Sequence, residues 1–333
     1  HRLRFSWHII GLWALCLMGT FQVRNTNDPI ASYGFFLQTQ GILLTLALLS
    51  LLNWLESQKN VWLVLSAFSI SVSLLMYELN YIFYPMAFGL LWFSDCSRQK
   101  KIKAFLTIIA PLIVFFIPFT LYLRLSSPGV YEGIRFSLNG ALFLTYKRQF
   151  LSAFPGNFYY YRWNKNLPIL EVFHQGISLL PIVLALMTGY LALYLTPLTP
   201  LTPLIPSVPK TPSPRTNENL KNNKPLLVIL LSLICIPPAL IAFSERYQKE
   251  VSSGSGYLPV YYSYFGAAFF MAYFLQLFSQ KKPVLRWTLA AAIALWIPMN
   301  FIINKSVVAS MDQVFFIPRA SLENALADGL FSN

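Results

Sequence analysis

The sequence predicts an all-α protein, a polytopic bundle of transmembrane helices. Of its 333 residues, 56% are hydrophobic and 11% are charged, whereas globular proteins have about 45–50% and about 25%. The mean hydropathy is +0.54, and the apolar residues gather in long runs. Because a soluble domain cannot bury so much apolar surface, the composition excludes an ordinary cytosolic enzyme, a disordered chain and a secreted disulfide scaffold.

About nine apolar segments have, or approach, the length of a membrane crossing. These segments are 5–23, 34–55, 61–77, 81–93, 104–123, 176–195, 225–243, 265–278 and 284–303. Segments 81–93 and 265–278 are shorter than the roughly 20 residues of a full crossing. We therefore expect them to be tilted, to be extended by interfacial aromatic residues, or to cross incompletely.

The chain divides into four regions along its length. Residues 1–195 form a six-span membrane region that includes the long outer loop 124–175. Residues 196–224 carry a Thr-Pro-Leu repeat and a polar tail, which predicts an extended cytoplasmic linker. Residues 225–303 form a three-span membrane region, and residues 304–333 form a short outer tail.

The charges between the spans predict an orientation. We place the N-terminus in the cytoplasm. The inner segments then hold fourteen basic and three acidic residues, and the outer segments hold eleven basic and nine acidic residues. This bias is typical of cytoplasmic loops, so the C-terminus is predicted to lie outside. The net charge of +13 follows from this topology, and no nucleic-acid partner is predicted. The chain begins with His1, and we expect a further N-terminal part.

The outer loop 124–175 is predicted to contain interfacial helices. Its segment 136–154 has an apolar stripe and a basic side, a pattern typical of a helix lying in the membrane surface. The stripe consists of Leu138, Leu142, Phe150 and Phe154. An aromatic cluster follows at 155–163, and cations at this level can bind phosphate. The candidate cations are Arg135, Arg148, Arg162 and Lys165. Two interpretations stay open, an aromatic belt with solvated charges and a site for an anionic lipid-linked substrate.

Two acidic residues are candidate catalytic groups. Asp28 precedes Pro29 in a short outer loop, where an aspartate commonly forms a turn or caps a helix. Glu78 ends the third predicted span, where an ionisable group is costly unless it is paired or faces a cavity. Each residue therefore has a structural and a functional interpretation.

The last outer loop, 253–266, is rich in tyrosine. Tyr257 and Tyr261 are suited either to binding a sugar or to anchoring the chain at the membrane interface. The three cysteines and three histidines are scattered, and no metal site is predicted from them.

These features resemble the GT-C superfamily of polytopic glycosyltransferases, and in particular bacterial membrane proteins of that plan. The resemblance rests on the many spans, on Tyr77-Glu78 at the end of a span, on the outer helix with its aromatic and basic tail, and on the tyrosine-rich loop. It implies transfer of a sugar from a polyprenyl-phosphate donor at the outer face of the bacterial plasma membrane.

The resemblance also implies roles for the candidate residues. Asp28, in the position of the first outer loop, would be the general base or the ligand of a divalent cation, and Glu78 is the second candidate base. The four cations would stabilise the phosphate, and Tyr257 and Tyr261 would shape the sugar site. The implied partners are a lipid-linked sugar and membrane lipid. The alternative is a non-enzymatic flippase, transporter or accessory protein for lipid-linked sugars, which needs no carboxylate at the reaction centre.

Overall fold

The computed structural model describes residues 7–23, 34–76, 78–126, 137–164, 179–196, 224–254, 256, 258–279, 283–311 and 317–327. Every regular element in these ranges is helical, in agreement with the predicted all-α class. The predicted linker lies outside the described residues, except for the two residues at its ends.

The helices are numbered in chain order. They are α1 (Trp7–Thr20), α2 (Gly34–Ser57), α3 (Asn60–Met76), a 3₁₀ helix (Glu78–Ile82), α4 (Phe83–Trp92), α5 (Arg98–Pro111), a π-helix (Leu112–Phe116), α6 (Ile117–Ser126), α7 (Ala141–Leu151), α8 (Asn157–Asn164), α9 (Leu179–Leu195), α10 (Lys224–Ala242), α11 (Glu245–Glu250), α12 (Val260–Ser279), α13 (Pro283–Met311) and α14 (Ile317–Ala327).

Within the part of the chain that the structure describes, four helical stretches are long and apolar enough to cross a membrane. They are Phe35–Ser57, Arg98–Phe119, Pro225–Ala242 and Val284–Ala309. Three shorter apolar helices, α1, α3 and α9, cover further predicted spans. The four long helices are consistent with an integral membrane protein.

The two segments predicted to be short behave differently. Helix α4 has 10 residues, a length of about 15 Å against a hydrocarbon core of about 30 Å. A break at the 3₁₀ helix separates α4 from α3. Helix α12 has 20 residues and begins five positions before the predicted segment 265–278. Its first turn contains Tyr261 and Tyr262, which the hydropathy pattern alone does not assign to a span.

Two buried hydrophobic clusters organise the bundle. One joins α2, α3, α4 and α5 with the first turn of α12. The other joins α1, α9, α12 and α13. Helix α10 contacts α4, α7 and α12. Helices that follow the linker in sequence therefore pack against helices that precede it.

The end of α1 is held by side chains of α13. The Trp296 indole donates a hydrogen bond to the Gly19 carbonyl oxygen at 2.9 Å, and Asn300 Nδ2 donates to the Met18 carbonyl oxygen at 2.9 Å. The last carbonyl groups of a helix have no partner within it. Helix α13 thus supplies the donors that the end of α1 lacks.

Hydrogen bonds show which segments share an end of the bundle. Gln22, just after α1, donates through Nε2 to the Phe154 carbonyl oxygen at 3.3 Å. We call this the long-loop end, and it contains residues 137–164, 243–254, 256, 258 and 259. At the other end, which we call the short-loop end, Gln58 Nε2 lies 3.3 Å from Cys96 Sγ. The turn between α2 and α3 therefore meets the loop between α4 and α5.

Candidate functional site

The long-loop end is assembled by hydrogen bonds between two segments that are distant in sequence. The Ser137 amide donates to the Phe243 carbonyl oxygen at 3.0 Å. Gln248 Nε2 donates to the carbonyl oxygens of Ser137 and Ala242, each at 2.8 Å. Because Gln248 is buried, these bonds fix the start of the α7 region against α11.

Helix α7 presents polar residues to the protein and apolar residues outward. Thr145 and Gln149 are fully buried, whereas Phe143 is 78% exposed. Leu138, from the predicted apolar stripe, is 81% exposed. The other three residues of the stripe are half-buried. This arrangement leaves an outward apolar surface beside the basic residues of the helix.

A cleft of about 70 Å³ lies between α7, α8 and the loop after α11. We call it the Arg148 cleft. Its lining consists of Leu144, Lys147, Arg148, Leu151, Asn157, Tyr160, Ser253 and Gly254. A cavity of this size accommodates a few water molecules or one small anionic group. Leu144 and Leu151 are 47% and 43% exposed, so an apolar edge lies beside the basic wall.

Arg148 borders this cleft. Its Nη1 donates to the Val251 carbonyl oxygen at 3.0 Å. Its Nε is buried and has no hydrogen-bond partner among the described residues, which is costly for a donor. What Arg148 offers a ligand in the cleft is the positive charge of its guanidinium. The neighbouring Lys147 is exposed and adds a second positive charge.

The far wall of the cleft depends on Asn157 and Gly254. Asn157 Nδ2 donates to the Gly254 carbonyl oxygen at 2.9 Å. Gly254 has φ +83°, and a β-carbon there would lie 2.7 Å from Tyr161 Cα. The position therefore requires glycine for both its backbone conformation and its contact. We did not single out Asn157 from the sequence, although a Pro-Gly-Asn turn before an aromatic run is its local signal.

Tyr146 of α7 and Tyr159 of α8 have raised pKa values. Burial, with a smaller contribution from Cys235, raises the pKa of Tyr146 to about 12. Burial also raises the pKa of Tyr159. Both phenols therefore stay protonated near neutral pH, and neither serves as a general base there.

A second polar cluster lies among α2, α3 and the 3₁₀ helix. The Ser73 hydroxyl donates to Gln40 Oε1 at 2.6 Å. Asn80 Nδ2 donates to Gln40 Oε1 at 2.9 Å and also to Ser73 Oγ. All three side chains are fully buried, so the cluster fixes the 3₁₀ helix that begins at Glu78.

The predicted site residues have different positions. Arg148 lines the cleft. Tyr261 is only 9% exposed and packs against Phe21 and Phe265, on the side of α12 that faces Gly41. Tyr261 is therefore a core residue in this bundle, and it is not among the described residues that line the Arg148 cleft.

The remaining candidates are described only in part. Glu78 begins the 3₁₀ helix and Arg162 lies in α8, but their side chains are outside the described part of the structure. Four further candidates are outside the described residues altogether: Asp28, Arg135, Lys165 and Tyr257. Their roles stay predictions.

Comparison with known proteins gives no relative from which to transfer a role. The chain matches no protein family model, no curated protein and no solved structure.

Proposed function

We infer that this chain is an integral membrane protein that binds a lipid-linked sugar by its phosphate in the Arg148 cleft and transfers the sugar to an acceptor. The observation that carries this proposal is that two cations, Arg148 and Lys147, line a cleft with an apolar edge. A phosphate attached to a hydrocarbon chain matches both features, because it needs cationic donors and an apolar neighbour.

The transfer itself is displacement at the anomeric carbon of the sugar. A hydroxyl oxygen of the acceptor forms a bond to that carbon, and the bond from the carbon to the phosphate oxygen breaks. Arg148 and Lys147 stabilise the negative charge that the phosphate gains. Asp28 or Glu78 accepts the proton of the acceptor hydroxyl. Either carboxylate completes the GT-C type of mechanism. Asp28 would be the residue that holds a divalent cation, which would supply positive charge beside the phosphate.

The proposed setting is the bacterial plasma membrane, with about nine crossings, a cytoplasmic N-terminus and the long-loop end outside. Helices α1, α3 and α9, at the positions of further predicted spans, support this topology. The hydrogen bond from Gln22, at the outer end of the first predicted span, to Phe154 of the long outer loop also supports it. The exposed Phe143 and Leu144 of α7 support an interfacial position for this helix.

A second candidate function is binding without transfer, as in a flippase or an accessory protein. The described lining of the Arg148 cleft contains no carboxylate, which favours this alternative. A protein of this kind presents or moves the lipid-linked sugar and leaves its glycosidic bond intact.

Donor binding and donor turnover, measured separately, test both candidates. The full chain in lipid nanodiscs is incubated with radiolabelled polyprenyl-phosphate sugars. We expect Arg148→Gln to weaken donor binding about tenfold or more, because a charged hydrogen bond is lost. Lys305→Gln, an exposed cation beside the long-loop end, is the matched control and should bind normally.

Turnover then distinguishes the two functions. A transferase consumes the donor, and Asp28→Asn or Glu78→Gln abolishes consumption while binding persists. Saturable binding without consumption of any donor rejects the transferase and supports the carrier. Normal binding by Arg148→Gln contradicts the proposed role of the cleft.

A further inference from the structure

A shallow groove of about 540 Å³ runs along the outward face of α5. We call it the α5 groove. It lies near the short-loop end, opposite the Arg148 cleft, and is lined by Gln99, Ile102, Lys103, Leu106, Thr107 and Ala110. These positions recur every three or four residues, so they share one face of the helix. The opposite face carries Ala104 and Ile108, which are fully buried.

The groove is apolar along most of its length. Ile102 and Leu106 are 49% and 56% exposed, and they lie in the stretch Arg98–Phe119, one of the four that can cross a membrane. An acyl chain therefore lies against this face in a bilayer. Apolar contact alone does not distinguish one lipid from another.

The cations at the start of α5 supply that distinction. Arg98, Lys100 and Lys103 are exposed and have no ion pair among the described residues. Lys101 instead donates to the Trp92 carbonyl oxygen at 3.0 Å, so it is directed toward α4. The first turn of α5 contains no acidic residue, although the helix macrodipole favours negative charge there. A negative group at this place relieves the repulsion among the cations.

Trp92 marks the depth of this basic cluster in the membrane. Its indole is 64% exposed and stacks on Phe88 with 5.6 Å between ring centroids. Exposed tryptophan is typical of the headgroup level of a bilayer. We therefore place the exposed cations at the start of α5 at the headgroup level, near the end of the α5 groove that Lys103 lines.

We propose that the α5 groove binds an anionic phospholipid. The acyl chain lies along Ile102 and Leu106, and the headgroup phosphate lies among Arg98, Lys100 and Lys103. Clusters of cations next to a transmembrane helix attract anionic headgroups. This site is separate from the Arg148 cleft and does not depend on the function proposed for it.

Native mass spectrometry of the detergent-purified full chain tests the proposal. Phosphatidylglycerol or phosphatidylcholine with identical acyl chains is added, and retained lipid is counted for each protein. We expect the wild type to retain one phosphatidylglycerol molecule in preference to phosphatidylcholine. Lys100→Gln/Lys103→Gln should reduce this preference about tenfold, and Lys100→Arg/Lys103→Arg should keep it.

A matched control separates this site from the general charge of the same membrane side. Lys281→Gln/Lys282→Gln removes the same number of charges from another loop predicted to lie on that side, and we expect it to leave the preference unchanged. Equal retention of the two lipids by the wild type overturns the proposal. An equal loss in the control pair also overturns it, as does displacement of phosphatidylglycerol by excess inorganic phosphate.

Discussion

The side-chain amide of Asn157 donates a hydrogen bond of 2.9 Å to the carbonyl oxygen of Gly254, which lies 97 positions later in the chain. This bond joins the first turn of α8 to the loop after α11. Both residues line the Arg148 cleft. The shape of the cleft therefore depends on a contact between the start of α8 and the loop after α11, which meet only in the folded bundle.

We expect Asn157→Ala to lower the free energy of unfolding by about 1–3 kcal/mol, because the Gly254 carbonyl loses its donor in a buried place. Thermal unfolding of the purified protein in detergent measures the effect. Asn157→Asp keeps the size of the side chain but removes the donor, so it should be at least as destabilising. Unfolding temperatures equal to that of the wild type would contradict this role of Asn157.

Gly254→Ala should destabilise the protein by at least about 1–3 kcal/mol. The φ of +83° is unfavourable for alanine, and its β-carbon would meet the backbone of Tyr161. Gly140→Ala is the matched control, since it has φ −60° and no atom within 4 Å of the added β-carbon. We expect it to change stability by less than about 1 kcal/mol. Similar unfolding curves for the two variants would reject the proposed strain.

Asn80→Ala removes the donor that links the 3₁₀ helix to Gln40 and Ser73. We expect a loss of about 2–4 kcal/mol, because several buried polar groups lose partners together. Ser71→Ala provides the comparison, since Ser71 donates only to Ala67 of its own helix, at 2.7 Å, and should cost about 0.5 kcal/mol. Urea unfolding of both variants measures the difference in their free energies of unfolding. A loss for Asn80→Ala no larger than that for Ser71→Ala would contradict the stabilising role of the cluster.

Asn304 begins an Asn-Lys-Ser sequon, but both of its side-chain polar atoms are used. Its Oδ1 accepts from the Val23 amide at 2.8 Å, and its Nδ2 donates to the Phe21 carbonyl oxygen at 3.0 Å. We therefore expect no glycan on Asn304 when the chain is produced in a eukaryotic secretory pathway, which intact mass spectrometry checks. Ser306→Ala destroys the sequon alone and should leave stability unchanged, whereas Asn304→Ala should destabilise the protein. A glycan at Asn304 would show that these bonds open.

The sequence predicted the helical class because hydropathy runs are local and strong. It also indicated which segments are too short, and the 10-residue α4 agrees with that. The extension of α12 back to Val260 escaped it, because the tyrosines of the first turn are buried by α1 and α2, through contacts with Phe21 and Gly41. Such burial depends on tertiary packing, and the hydropathy of the sequence does not predict it.

The candidate site was predictable only in its charges. Arg148 was named from the basic side of an amphipathic segment, and the structure places it in a cleft. Asn157 was not named, because its partner lies in a loop far away in sequence. Tyr261 was predicted either to bind a sugar or to anchor the chain at the membrane interface, and its ring lies in the buried cluster of α2 to α5. The chemistry of a residue is visible in the sequence, whereas the meeting of distant residues at one cavity depends on the fold.

The hydrogen bonds from α13 to the end of α1 have a consequence for biosynthesis. Asn300 lies 282 positions after Met18, so the first described helix leaves the ribosome long before the residues that complete its end. During that interval its terminal carbonyls depend on water, lipid headgroups or the insertion machinery. A nascent chain stopped before Trp296 therefore lacks α13 and also the donors that complete the end of α1. These hydrogen bonds form only after α13 has been synthesised.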